Sequence, residues 1–200
     1  MLRKHLEGGK IVDDGTVLIQ LAFMLYHDAL KDYWSQTASE RRRKEVKEEM
    51  KEATDILEKI IPKMKKAGDI KKMLSPRIFL AQIYASTGDA RAVRIARENF
   101  RLSKEAVMAN RLADVYCRLG KKQDSLRWHQ TYAVLAQKEN VPSYEIKMNM
   151  AIAYFSLDKP ELGNKIAREI INRFPKTLKG QSMRKILKGY FNTKAGSNSN

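Results

Sequence analysis

The sequence predicts an all-α chain of antiparallel helix pairs stacked in succession, on three observations. A five-residue run recurs, as Leu80-Ala81-Gln82-Ile83-Tyr84, Leu112-Ala113-Asp114-Val115-Tyr116 and Met150-Ala151-Ile152-Ala153-Tyr154. Four residues after each tyrosine stands a turn residue: Gly88, Gly120 and Asp158. Elsewhere the apolar residues fall three or four apart, the spacing of a helical face, and no alternating strand pattern competes. The tyrosines at 84, 116 and 154 stand 32 and 38 residues apart, the period of a two-helix unit.

Each element follows in order. Residues 1–14, with Gly8-Gly9 and Asp13-Asp14, lack a sustained period and read as a flexible lead-in. From Thr16 to about Trp34 apolar residues are dense, and Phe23, Met24 and Tyr26 spill beyond one face, so this helix is expected to be buried on more than one side. Ser39 opens a charged helix predicted to run to about Ile61, with Val46, Met50, Ala53, Leu57, Ile60 and Met64 as its seam. Its outer face is expected to carry Glu40–Lys44 and Asp55–Lys59 pairs. Pro62 should kink or end it. Residues 15–67 therefore read as an N-terminal helical hairpin, either a degenerate repeat or a cap.

Ser75-Pro76 looks like a helix start, giving a helix over 76–86. A second helix is expected over 90–102, facing inward through Ala92, Val93, Ala96 and Phe100. Ser103 is placed to cap a helix over 104–119, followed by one over 123–138 packed through Leu126, Tyr132, Ala133 and Leu135 or Ala136. Asn140-Val141-Pro142-Ser143 lengthens the next connection, before helices over 144–157 and 160–174. Met183, Ile186, Leu187 and Tyr190 mark an amphipathic capping helix over 177–192, and the small polar residues 193–200 read as a disordered tail.

The large-small-x-x-Tyr run, with small residues on the helix that follows, resembles the tetratricopeptide repeat over residues 73–175. The resemblance implies three repeats in a short α-solenoid, whose first helices line a concave groove. It also implies a scaffold that holds another protein. Counted from each tyrosine, it puts Ile78, Phe79, Gln82, Ala85 and Ser86 in the groove from the first unit. The second unit would supply Asn110, Arg111, Asp114, Cys117 and Arg118, and the third Met148, Asn149, Ile152, Phe155 and Ser156. Some members clamp a C-terminal carboxylate with basic and amide side chains. Here Asn110, Arg111, Arg118 and Asn149 are the candidates, and the first unit offers no matching base.

Composition bears on the partner. The 200 residues carry 39 lysines and arginines against 23 acids, a net charge of +16, which favours anionic partners. Arg91, Arg94, Arg97 and Arg101 repeat at helical spacing, with Lys104 just beyond. Lys176, Lys179, Arg184, Lys185, Lys188 and Lys194 form an acid-free C-terminal run. A basic patch of this kind could dock nucleic acid, which is the alternative function.

Chemistry-bearing motifs are missing. His5, His27 and His129 are scattered, and no His/Cys/acid spacing suits a metal. Gly8-Gly9 has no following Lys-Ser/Thr, so no phosphate loop is expected. The single cysteine, Cys117, rules out an internal disulfide and fits a reducing compartment. No apolar run could span a bilayer. The expectation is a cytoplasmic, non-catalytic adaptor without a cofactor, binding a peptide or protein segment.

Overall fold

The computed structural model describes residues 15–33, 39–66, 68, 70–173, 181 and 183–185. The lead-in, Trp34, most of the capping helix and the tail lie outside the described residues. Among the described residues there are eight helices and no strand. They are α1 (Gly15–Tyr33), α2 (Glu40–Lys66), α3 (Ile70–Ser86), α4 (Arg91–Leu102), α5 (Ala106–Arg118), α6 (Lys122–Lys138), α7 (Ser143–Ser156) and α8 (Pro160–Arg173). The chain divides into two compact units, one ending at Leu102 and the other beginning at Ser103. The division cuts the expected block 73–175 after its first helix pair. Within each unit, consecutive helices joined by short turns pack against one another.

In the first unit α1 packs along α2. Leu21, Ala22, Tyr26 and Ala29 are buried, whereas Phe23 and Met24 reach solvent. On α2, Val46, Met50, Ala53, Leu57 and Ile60 form the buried seam, joined by Ile61 in place of the expected Met64. The Ser39 hydroxyl accepts the Arg42 amide at 3.2 Å, the bond of an N-cap at the start of α2. Ion pairs on the outer face include Arg41–Glu45 and Arg42–Glu49, both at 3.0 Å, and Arg42–Glu45 at 3.4 Å; the expected Glu40–Lys44 and Asp55–Lys59 are not among the ion pairs of the described residues.

Neither proline is the boundary that its position in the sequence suggests. Helix α2 runs through Pro62 to Lys66, although the proline leaves the Glu58 carbonyl without its usual intrahelical donor. Helix α3 begins at Ile70 and passes through Pro76, which is fully buried. Packing at Pro76 offsets the lost hydrogen bond, so Ser75 is mid-helix and caps nothing.

The signature tyrosines end their helices in one way. The carbonyls of Tyr84, Tyr116 and Tyr154 accept the amides of Asp89, Lys121 and Lys159 at 2.7, 2.9 and 2.9 Å. Inside each, the amide of Gly88, Gly120 or Asp158 donates to the carbonyl of the residue after the tyrosine. This double bond pattern is the Schellman cap, which needs a left-handed residue at the turn. The three turn residues have φ of +78°, +71° and +56°. Helix α6 closes identically through Asn140, with Val141 donating to Ala136 at 2.9 Å.

The small residues Ala81, Ala113 and Ala151 are all buried, but the tyrosines are not at equal depth. Tyr84 and Tyr116 are 4% and 1% exposed, while in the third pair burial passes from Tyr154 to Phe155, 6% exposed. In α4 the buried face is Ala92, Ile95, Ala96 and Asn99. In α6 it is Ser125, His129, Tyr132 and Ala136, so Tyr132 and Ala136 face inward as expected, while polar Ser125 and His129 are buried where Leu126 and Ala133 were expected.

Ser103 does not cap α5. Helix α5 starts after Glu105, which makes no side-chain cap, and the Ala106 amide instead donates to the Glu139 carboxylate at 2.7 Å. Chain folding brings that acid from the end of α6 to a helix start 33 residues earlier.

Candidate partner cleft

In the second unit α5, α6 and α7 enclose a cleft of about 360 Å³. Asn110, Arg111 and Asp114 reach it from successive turns of α5, and Asn149 from α7. Cys117, Ile152 and Ser156, counted from the same tyrosines, also line it. Residues selected by their register to two tyrosines thus converge on one cavity.

Its electrostatics follow from burial and two nearby cations. Burial holds the Asp114 carboxyl above the usual carboxylate range, against the pull of Arg111 and Arg118. The Arg111 guanidinium stands 3.9 Å from Asp114, a loose pair. Burial, with the Asp114 charge, also pushes the Cys117 thiol up. His129, 5% exposed, is pushed down to about 4 by burial. A raised thiol and a lowered imidazole oppose a thiolate–imidazolium pair, so the surroundings of Cys117 and His129 do not activate a nucleophile. What the cleft offers is hydrogen bonding. The Asn149 amide donates to the Tyr132 hydroxyl at 2.7 Å. Two atoms, Asn110 Oδ1 and His129 Nδ1, are buried without a hydrogen-bond partner among the described residues.

The remaining groove candidates lie elsewhere. Phe155 is core: it packs with Ala151, Ala167, Ile170 and Met183. Its place one residue after a half-buried tyrosine turns it inward. Arg118 is exposed at the end of α5 and acts on the cleft through its charge. In the first unit Phe79 meets the ring of Phe23 edge-on, with centroids 4.8 Å apart, so α1 already occupies that side chain. Gln82 is half-buried on α3.

The arginine row is not uniform. Arg91 lies 4.2 Å from the centre of the Tyr84 ring and pairs with Asp89 at 2.8 Å and Glu58 at 3.1 Å. The Tyr84 hydroxyl donates to the same Glu58 carboxylate. Burial and that acid hold the phenol above its ordinary value. Arg91 therefore belongs to a knot tying α2 to α3 and α4. Arg94, Arg97 and Arg101 are exposed on α4, and Lys104 lies exposed before α5. Arg184 is half-buried and Lys185 exposed, while Lys176, Lys179 and Lys188 lie outside the described residues.

His129 escaped the sequence reading because it stands alone among scattered histidines. A signal existed: Ser125, His129, Tyr132 and Ala136 follow the four-three-four spacing of a buried seam. Among the described residues no cluster of three His, Cys, Asp or Glu could hold a metal, and no helix is long and apolar enough to cross a membrane.

No protein-family model matches this chain, and no curated protein matches it significantly.

Proposed function

We propose that the protein is a non-catalytic, cytoplasmic adaptor of the tetratricopeptide-like kind that binds a peptide or protein segment in the α5–α6–α7 cleft. One observation carries this reading: Asn110, Arg111, Asp114 and Asn149, chosen by their register to Tyr116 and Tyr154, line a single cavity. Amides and opposite charges over an apolar rim suit an extended segment, whose backbone and side chains both need hydrogen-bond partners.

The test is selection of a randomised twelve-residue peptide library on the full chain. Peptides that bind the wild type should lose at least about tenfold in affinity on an Asn110→Ala/Asn149→Ala variant with unchanged helical circular dichroism. Undiminished binding to that variant removes the cleft from consideration.

A second reading, nucleic-acid binding, rests on Arg94 and Arg101, which are exposed and form no ion pair among the described residues. Fluorescence anisotropy with duplex and single-stranded DNA decides it. If both arginines contact phosphate, Arg94→Ala/Arg101→Ala lowers the slope of log K against log salt by about 2. Absence of binding at low salt dismisses this reading.

A further inference from the structure

Two hollows in the first unit share a wall. One, of about 390 Å³, lies among Lys47, Lys51 and Thr54 of α2, Ile83 and Tyr84 of α3, and Arg91 of α4. The other, of about 200 Å³, lies among Glu58 and Pro62 of α2, Arg77 and Tyr84 of α3, and Arg91 and Arg94 of α4. From the first to the second the lining advances along α2 and α4 and runs back along α3. Tyr84 and Arg91 border both, so the hollows are successive stretches of one groove between α2 and α4, floored by α3.

Its charges are unevenly paired. Three acids line it, and each is already held: Asp89 by Arg91, Glu58 by Arg91 and the Tyr84 hydroxyl, and Glu98 by Arg77. Five cations line it, and three of them, Lys47, Lys51 and Arg94, are exposed and form no ion pair among the described residues. Lys47 and Lys51 stand one helical turn apart, the spacing at which like charges repel. The free cations lie toward opposite ends, with the Tyr84–Arg91 wall between them.

We propose that this groove receives an extended acidic peptide segment of a partner protein, with carboxylates at both ends and uncharged residues between. The inference goes beyond the α5–α6–α7 reading and shares no residue with that cleft. A carboxylate between Lys47 and Lys51 relieves their repulsion, and a second meets the Arg94 guanidinium. In the middle the segment passes Glu58 and Asp89, whose charge Arg91 only partly offsets, so that stretch carries no acid. From Lys51 to Glu58 α2 rises about 10 Å, and Arg94 stands about 5 Å past Arg91. The sum corresponds to about five residues of extended peptide. A nucleic-acid strand bears a charge on every nucleotide and would set phosphates against those carboxylates. Tyr84 is buried with Arg91 over its ring, so it offers no face on which a base could stack.

The probe is a fluorescent peptide pool with two aspartates at each end of about five randomised uncharged residues, titrated onto the full-length chain by anisotropy. It should bind, and more weakly as salt rises. Replacing the aspartates with asparagine, or moving all four to the centre, should each weaken binding by at least about tenfold. Lys47→Ala/Lys51→Ala/Arg94→Ala should do the same. Lys59→Ala/Lys65→Ala/Arg101→Ala removes equal charge outside the groove and should stay within about twofold. All six side chains are exposed, so both variants should keep the wild-type circular dichroism. Equal losses in the two triple variants would reduce the effect to net charge and overturn the inference, as would absence of binding at low salt. A twelve-nucleotide single strand that displaces the pool and needs the same three residues would overturn it in favour of nucleic acid. Asn110→Ala/Asn149→Ala should bind the pool undiminished; a loss there would overturn the groove and assign the acidic segment to the cleft.

Discussion

Gly163 lies under the ring of Phe155. A β-carbon on Gly163 would stand 2.8 Å from Phe155 Cε1 and 2.9 Å from Cδ1 and Cζ. The ring cannot swing aside, since Ile170, Ala167 and Met183 pack around it. Gly163→Ala should therefore lower stability, even though alanine favours a helix by about 1 kcal/mol. Overpacking of about 1–3 kcal/mol outweighs that gain. Urea denaturation gives the value, and Phe155→Leu in the same chain should recover part of the loss. A neutral or stabilising Gly163→Ala would show that the two helices can separate freely.

The repeated helix caps give a paired prediction. A β-carbon added at Gly120, where φ is +71°, would meet nothing within 4 Å, so only backbone conformation penalises alanine there. Gly120→Ala should cost about 1 kcal/mol. Asn140, at φ of +57°, occupies the corresponding place after α6, and Asn140→Gly should stabilise by a few tenths to about 1 kcal/mol. Thermal unfolding of both variants measures the opposite signs.

Acid sensitivity should pass through His129. Its folded value is about 4 against 6.5 when unperturbed, so the unfolded chain takes up the proton first. Stability from this source is complete above about pH 6.5 and falls as pH drops toward 4, by about 3 kcal/mol in all. Asp114 changes in the opposite sense, because burial raises its carboxyl. The readout is therefore the difference between wild type and His129→Gln in denaturation series from pH 7 to pH 4. Parallel curves would show that this imidazole titrates normally.

Arg77 holds a buried amide in place. Its Nε donates to Asn99 Oδ1 at 2.7 Å and its Nη2 to Glu98 at 2.5 Å. Asn99 is buried, so Arg77→Ala strands its carbonyl and should cost about 1–3 kcal/mol. Arg94 lines the same hollow of the first unit but is exposed, and Arg94→Ala should stay within about 0.5 kcal/mol. Comparing their unfolding midpoints separates arginines that build the fold from those that do not.

Much of the fold could be read directly because it rests on local rules. Apolar spacing, start signals and the repeated run together marked all eight helices, and a turn residue four places after each tyrosine marked three caps now seen with one geometry. Seven of the fifteen expected groove residues, Asn110, Arg111, Asp114, Cys117, Asn149, Ile152 and Ser156, meet in one cleft because helical register places residues on faces before any tertiary contact is known.

What the order of residues could not reveal depended on partners distant in the chain. Pro62 and Pro76 read as boundaries, yet neither ends its helix. Glu139 caps a helix that begins 33 residues before it. Phe155 turned from groove to core, and His129 from an unremarkable residue to part of the cleft, once neighbouring helices closed over them. The sequence by itself determined where helices form and which residues share a face, since both follow from bonds between near neighbours. Only the tertiary structure decided which faces lose water, because burial is set by whatever the rest of the chain brings alongside.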